Sequence, residues 1–378
     1  MLDAIKMSLE LTTVAIVLLC IAGISLLVLF FYYVYFFTNL KKHSLSESGS
    51  QPISVVIAAR NERPNLEKNL PAILNQDYPD FEVVLVNDGS WDGTKDYLKE
   101  LALTNPRLKI VTIELDEKFQ KGKKFALTMG IKAASYENLL FTDADCKPTT
   151  NRWIACMAHH LETNKVVLGN SPLVVRNTPL GSMVNYETFH TAIQYLGYAK
   201  RGFPYMGVGR NLAYTKSLFF ENKGFASHQH IMSGDDDLFV QEVTTFENTA
   251  VCLDPDSFTH SNGPSGIKDW LKQKTRHLST GNLYLSKFKF LLGIYSLFQL
   301  LVYVAAITLF IIYPQMWYLG AGVLLLKWVV QWIVMYGPSK RLGYTKVGYA
   351  LPYYDILYTL YLLFFGFAKP FLKPKTWN

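Results

Sequence analysis

Residues 11–38, LTTVAIVLLCIAGISLLVLFFYYVYFFT, contain no charged side chain, and neither do residues 290–313, FLLGIYSLFQLLVYVAAITLFIIY. A bilayer core of roughly 30 Å takes ~20 apolar residues in a helix, so each run is long enough to span it. A cleaved signal peptide is the competing reading of the first run. That run is too long for one, and no small-residue cleavage site follows it. Pro314 breaks the second run, and residues 316–336 make a third, interrupted by Lys327 and Gln331. Residues 347–368, with Pro352 and Asp355, are weaker and read as a fourth span or a re-entrant segment.

Charge orients these segments. Lys41, Lys42 and His43 follow the first run directly, which puts the N-terminus outside and the chain beyond residue 40 in the cytoplasm. The loop Tyr313-Pro314-Gln315 is uncharged, as an external loop would be, and Ser339-Lys340-Arg341 through Lys346 is basic, as an internal one would be. A full fourth span would place Lys369, Lys373 and Lys375 outside, against the rule. An acid at membrane depth is a functional hint, and pairing of Asp355 with Lys327 or a position near the interface explains it equally well.

The net charge is +7, yet residues 290–378 alone hold +6 and residues 51–289 only +1. A nucleic-acid binder carries its basic patch on the folded domain, so that class is set aside. Charged residues are 18% and hydrophobic ones 50%, which excludes a disordered chain. Cys20, Cys146, Cys156 and Cys252 show no C-x-x-C spacing and are read as reduced thiols on the cytosolic side. The chain divides into an anchor and linker (1–50, ending in the polar stretch Ser44–Ser50), a cytoplasmic domain (51–289) and a membrane region with two or three spans (290–378).

Within the domain, strand and helix patterns alternate. Ile53–Ala59, Glu82–Val86, Leu108–Ile113 and Asn138–Thr142 are apolar runs of buried-strand length. Asn65–Asn75, Asp92–Leu103 and Lys123–Ala134 carry helical spacing, with Pro64 in a first turn. This alternation predicts an α/β fold with a mostly parallel sheet, whose ligands bind beyond the carboxyl ends of its strands. Arg60-Asn61-Glu62, Asn87-Asp88-Gly89-Ser90 and Asp143-Ala144-Asp145 fall at such ends.

Asp143 and Asp145, taken as an extended D-x-D, point the same way and suit a hard divalent ion, Mg²⁺ or Mn²⁺, shared with substrate phosphates. A solvated turn or helix cap explains them as well. Lys121-Gly122-Lys123-Lys124 ahead of a helix is a ready diphosphate site or a plain basic surface cluster. Asp235, Asp236 and Asp237 repel one another, which raises at least one pKa and suits a general base; a second metal site or a capped helix is the alternative. His228-Gln229-His230 reads as packing or hydrogen bonding. Gln273 and Arg276, at i and i+3 in a basic-aromatic stretch with Trp270 and Leu271, share a helix face at the membrane surface.

Together these motifs resemble the membrane-bound family 2 glycosyltransferases. The family's ordered pattern is matched by Ala59-Arg60-Asn61-Glu62, Gln76-Asp77-Tyr78-Pro79, Val86–Thr94, Lys121–Lys124, Asp143–Asp145, Gly234–Asp237 and Gln273–His277, across roughly residues 52–280. Gly207-Val208-Gly209-Arg210-Asn211 with Ala213-Tyr214 also looks like the stretch before the family's acceptor site. The ordered set is specific where each motif alone is weak. The resemblance implies a GT-A fold and an inverting, metal-dependent single displacement from a nucleotide-sugar, with a UDP-sugar preferred over a GDP-sugar. It assigns Ala59, Arg60, Glu62 and Asp88 to the nucleotide, Lys123 or Lys124 to the diphosphate, Asp143 to sugar and ribose, and Asp145 with Asp143 to the metal. One of Asp235–Asp237 becomes the base, with Asp236 preferred by the G-D-D register and Asp235 by counting back from Leu238. Gln273 and Arg276 attend the leaving diphosphate. His277 stands where the family carries tryptophan.

Two acceptor classes compete: a membrane lipid or lipid-linked molecule resembling the substrate of ceramide-glucosyltransferase-like members, and a growing glycan as in cellulose- or hyaluronan-synthase-like members. Few spans favour the lipid, because a polymer channel must shield polar groups from the bilayer. A transporter or scaffold with an inactive domain is the reading from another class.

Overall fold

The chain begins with helix α1 (Leu2–Tyr32), prolonged by a wide turn at Tyr33–Phe37. The domain then runs β1 (Ile53–Ala59), α2 (Arg63–Leu74), β2 (Phe81–Asp88), α3 (Thr94–Thr104), β3 (Leu108–Ile113), α4 (Gly122–Ala133) and β4 (Asn138–Phe141). It continues through β5 (Lys147–Pro148), α5 (Trp153–Leu161), β6 (Val166–Leu168), β7 (Leu173–Val174), α6 (Pro179–Ala199), β8 (Leu212–Thr215) and α7 (Lys216–Glu221). It closes with α8 (Asp237–Val243), β9 (Thr249–Val251), β10 (Thr259–Asn262) and α9 (Ile267–Gly281). The last helices are α10 (Ser286–Ile312), α11 (Trp317–Arg341), α12 (Thr345–Tyr349) and α13 (Leu351–Ala368). This computed structural model describes residues 2–38, 40, 49–114, 122–231 and 233–368. Lys41, Lys42, His43, most of the Ser44–Ser50 linker, Lys121, Lys369, Lys373 and Lys375 lie outside the described residues.

The main sheet has the order β3-β2-β1-β4-β8-β6-β9, parallel at β3-β2, β2-β1, β1-β4 and β6-β9 and antiparallel on both sides of β8. β1 is an interior strand, flanked by β2 and β4. Ile53, Val55 and Ile57 face one core and Val56 the other, all fully buried, which explains the continuous β-branched run. Each such side chain contributes ~1.5–3 kcal/mol relative to exposure in water. The expected strands and helices are present; β1 and β3 have the expected ends, and the other ends shift by at most two residues. α2, for instance, starts at Arg63, because Pro64 fits the first turn where no backbone N–H is needed.

One consequence of topology was not legible. β8 runs antiparallel to β4, pairing Leu212 with Phe141, so its start, not its end, lies at the carboxyl edge of β1, β2 and β4. That brings Gly209-Arg210-Asn211 beside Asp143. Asn211 is fully buried and pins this turn: its Nδ2 donates to the carbonyls of Asn170 and Ser257, both at 2.8 Å, and its Oδ1 accepts from the indole of buried Trp153 at 3.0 Å.

Three helical segments, Thr12–Phe37, Ser286–Ile312 and Pro314–Arg341, are long and apolar enough to cross a membrane. They expose Ile16, Leu27, Val34, Ile307, Ile311 and Ile333, among others, which a bilayer would cover. α13 is shorter, and its apolar part runs Leu351–Phe367. Asp355 on α13 is ion-paired with Lys327 on α11, both fully buried, as the simpler of the two sequence readings had it. All four cysteines are unpaired.

Candidate active site

The loops after β1 and β2 are stitched to each other. Asn61 takes a left-handed backbone (φ 56°); its N–H donates to Ser90 Oγ at 2.9 Å and its Oδ1 accepts from the Trp91 N–H at 3.0 Å. Asp92 accepts from the N–H of Arg63 at 3.0 Å and from the hydroxyl of Thr94 at 2.6 Å. Arg60 lies over the Trp91 ring, 5.7 Å from its centroid. Glu62 accepts from Asn65 at 2.6 Å, and burial, aided by Asp145 and Asp143, raises its pKa. Ala59 packs in the core while its neighbours Ala58 and Arg60 line the cleft. Asp88 is buried at the end of β2 and does not line the cleft.

Asp143 and Asp145 lie on a turn, not on the extended segment expected from sequence. β4 ends at Phe141, and the Cys146 N–H closes on the Asp143 carbonyl at 3.0 Å. The turn still gathers the two carboxylates: one atom each from Asp143, Asp145 and Cys146 lie within 4.8 Å of one another. Burial and the Asp143 charge raise the Asp145 pKa, outweighing the opposite pull of Arg210 and Lys123. Two clustered carboxylates fit a hard divalent ion. The Cys146 Sγ, buried and 3.4 Å from Asp145 Oδ1, supports one of them.

Consecutive positions on a helix point about 100° apart, which separates the two lysines of α4. Lys123 reaches the cleft and bridges Asp143 Oδ1 (3.0 Å) and Asp235 Oδ2 (2.9 Å). Burial alone would lower its pKa, but the two carboxylates outweigh it and hold it raised. Lys124 turns away and donates to the carbonyls of His228 (2.6 Å) and Ile231 (2.9 Å), and burial lowers its pKa to about 8. His228 is a packed residue bound to Ser227 and Glu242, and His230 is exposed.

Gly234, at φ 101°, makes the turn that presents the three acids; a Cβ there would come 2.6 Å from Leu238. Each acid then has a different environment. Burial pushes Asp235 up, but Lys123 overrides it and holds the carboxyl below its ordinary range. Asp237 accepts from the hydroxyls of Thr280 (2.7 Å) and Tyr284 (2.9 Å), which tie it to α9 and the segment after it. Asp236 caps α8 through the Asp237 N–H and accepts the Gly209 N–H at 2.8 Å. Burial, then the charges of Asp235 and Asp237, push Asp236 up to about 7. Asp235 and Asp237 are buried, while Asp236 keeps partial exposure.

A cavity of about 750 Å³ joins these groups. Arg60, Glu62, Lys123, Asp143, Asp145, Asp235–Asp237, Gln273, Arg276 and His277 line it. So does Arg210, from the stretch likened to the one before the family's acceptor site, and so do residues that sequence reasoning missed: Glu187, Thr188 and Thr191 on α6, Leu292 on α10, and Tyr358, Tyr361, Leu362 and Phe365 on α13. Arg210 is held by Ser171, donating to its hydroxyl (3.2 Å) and carbonyl (3.1 Å). Glu187 is buried and pairs with Lys274; it also accepts from Tyr361 (2.9 Å) and Trp270 (3.4 Å).

The profile of glycosyl transferase family 2 matches residues 54–211, and that of glycosyl transferase family group 2 matches residues 141–367, more than half of the chain. The chain is a family 2 glycosyltransferase. The poly-beta-1,6-N-acetyl-D-glucosamine synthase of Staphylococcus epidermidis is 38% identical over 93 residues, 25% of this chain and 21% of that protein. Glycosyltransferase AglE of Haloferax volcanii is 38% identical over 98 residues, 25% of this chain and 31% of that one. The matches thus span a fifth to a third of those relatives. The mannosyltransferase PcManGT of Pyrobaculum calidifontis, solved with GDP-Man and Mn²⁺, is 20% identical over 93% of this chain and 99% of its own, at a TM-score of 0.53. That likeness is one of fold, and the transferase shares its GT-A architecture.

Proposed function

We propose that this transferase moves a sugar from a nucleotide-sugar to a membrane-resident lipid or lipid-linked acceptor at the cytoplasmic face. The observation that carries the reading is the continuity of the cavity. It runs from the acids at the sheet edge to Leu292, Tyr358, Leu362 and Phe365, which belong to apolar helices. An acceptor anchored in the bilayer would reach the acids without leaving its apolar surroundings. The three candidate spans, with the basic residues after the first and third, support a multi-pass protein whose domain is cytoplasmic.

In this reading Arg60, Glu62 and Asp88 belong to the nucleotide side. Lys123 faces the diphosphate. Asp143 and Asp145 would hold Mg²⁺ or Mn²⁺, which when bound neutralises developing negative charge on the departing diphosphate. Asp236 takes the proton of the acceptor hydroxyl, since Asp235 is held by Lys123 and Asp237 by Thr280 and Tyr284. Arg276, with Gln273 beside it, meets the charge on the leaving group. A UDP-sugar is the preferred donor, in line with the family resemblance. The synthase named among the relatives raises polymerisation as the second reading, and product size separates the two.

The test is nucleoside-diphosphate release by the detergent-purified protein, over UDP- and GDP-sugars, Mg²⁺ or Mn²⁺ and added membrane lipid. Release with one donor that chelator and Asp145→Asn both abolish, with a glycolipid product, is expected. A folded protein that binds UDP yet transfers to no lipid would sink the lipid reading.

A further inference from the structure

Where the globular domain meets the end of α1, Phe203 is 39% exposed and Phe246 62%. Both are tied to the apolar segment that runs to Phe37. Arg201, just after α6, donates from Nε to the Tyr35 carbonyl at 2.7 Å and lies over the Tyr35 ring, 4.6 Å from its centroid. The Phe203 ring meets Phe36 edge-on, with centroids 6.1 Å apart. Phe246 covers Gly202, where a Cβ would sit 3.4 Å from its ring. The entry to α10 adjoins the same edge: Tyr205 packs on Phe288, with centroids 6.1 Å apart. Leu283, Leu285, Lys287 and Lys289 beside Phe288 are exposed. Aromatic rings flanked by arginine and lysine, where apolar helices end, have the composition of a membrane–water interface. Their continuity with α1 and α10 makes the bilayer the surface that covers them.

We infer that Phe203 and Phe246 form an interfacial anchor, dipping into the headgroup boundary of the bilayer and holding the Asp236 turn at a fixed height above it. Glu242 and Glu247, exposed on either side of Phe246, keep their charges among the headgroups and limit the depth. The link to the chemistry is short. The segment after Phe203 runs through Tyr205 and Met206, on the cavity wall, to Gly209, whose N–H donates to Asp236. Phe246 lies just past α8, the helix that Asp236 caps. Thr244 joins the two segments by donating to the Pro204 carbonyl at 3.3 Å. A membrane acceptor and the carboxylate proposed to take its proton are thereby referred to one surface. The anchor itself needs only that α1 and α10 span; its effect on transfer rests on the proposed membrane acceptor.

Nitroxide labels on the full chain in nanodiscs test the depth. A Cys20→Ser background removes the exposed thiol and leaves three buried ones. There, a label at Phe246→Cys should be relaxed strongly by dissolved oxygen and weakly by a water-soluble nickel chelate. A label at Leu103→Cys, an exposed position at the end of α3, should show the reverse. A label at 246 as open to nickel as the one at 103 overturns the inference. Neither ring lines the cavity, so function gives a second readout. Phe203→Ser/Phe246→Ser should lower transfer to lipid in nanodiscs by about tenfold, the scale of withdrawing an aromatic ring from an apolar phase, while UDP binding stays within about twofold. Equal losses of transfer and UDP binding would show that the rings only hold the fold, and would overturn the inference. If no lipid accepts sugar from the wild type, the membrane-acceptor reading fails, and the two labels alone decide the anchor.

Discussion

Three adjacent aspartates differ because their partners differ. Asp235 spends its charge on Lys123, Asp237 holds Thr280 and Tyr284, and Asp236 is left with backbone donors and the repulsion of both neighbours. Asp236→Asn should therefore lower turnover by about 10²–10⁴ while donor binding, read by calorimetry, stays within about threefold, under half of one pKa unit's worth of free energy. Asn at 237 still accepts from Thr280 and Tyr284, so Asp237→Asn should cost far less; equal losses at both positions would undo the assignment. The pH dependence follows with its sign. A base whose pKa lies at about 7 is ionised above it, so kcat/KM should climb between pH 5 and 8. The midpoint belongs to the coupled cluster as a whole. A profile already flat at pH 5 would exclude this base. The same shift acts on stability. The folded value lies above the ordinary 3.8, so the group's contribution is fully present below that value and is lost as pH rises through about 7. Asp236→Asn removes the penalty, and its melting temperature should exceed the wild type's at pH 8 and match it near pH 4.

At the scale of elements, α9 is the part whose position matters and whose own attachment is slight. Its cavity face carries Gln273, Arg276 and His277, and two carboxylates hold it from outside: Glu187 through Trp270 and Lys274, and Asp237 through Thr280. Glu187→Gln and Lys274→Glu should each lower kcat by about tenfold, the loss of a charge-assisted bond of ~1.5–3 kcal/mol, with the donor KM little changed. The inverted pair Glu187→Lys/Lys274→Glu should recover most of it. An inverted pair as poor as either single variant would show that the latch does not set α9. Little of this was legible. β1 could be read because a buried parallel strand announces itself as an unbroken β-branched run, β2–β4 because they are short apolar runs set between helical patterns, and the D-x-D and G-D-D-D motifs because chemistry fixes their spacing. The choice between Lys123 and Lys124 depends on the rotational phase of α4 about its axis, and the delivery of Arg210 depends on the antiparallel direction of β8. Both are tertiary facts with no local signature. Glu187 sits in Asn185-Tyr186-Glu187-Thr188-Phe189-His190, a stretch without motif spacing, and only the packing of α6 against α9 and α13 reveals it.

Across the whole molecule, the cavity works as proposed only if α13 stays seated beside α6, because Tyr358, Tyr361 and Phe365 supply its membrane end. Sequence alone left α13 between a span and a re-entrant segment and Asp355 between a functional and a structural role. The structure shows what the acid does mechanically. Besides Lys327 of α11, Asp355 accepts from Gln299 of α10 (2.8 Å), Gln331 of α11 (2.8 Å) and Tyr303 of α10, whose hydroxyl accepts in turn from Trp328 at 2.8 Å. One carboxylate thus fastens α13 to both neighbouring helices. Buried ion pairs contribute little net stability against an apolar pair of similar volume, yet removing one partner strands the other charge at a cost of about 3–5 kcal/mol. Lys327→Met and Asp355→Leu should therefore each lower the thermal midpoint of the purified protein markedly, and Asp355→Leu should also reduce transfer to the proposed lipid acceptor more than UDP binding. The double variant Lys327→Met/Asp355→Leu removes both charges, and its midpoint should recover part of the loss, limited by Gln299 and Gln331, which lose their acceptor. If the double variant falls by the sum of the single ones, the pair is not a unit, and the seating of α13 must come from the aromatic packing of Tyr354 and Tyr358 against Tyr186 and His190 instead.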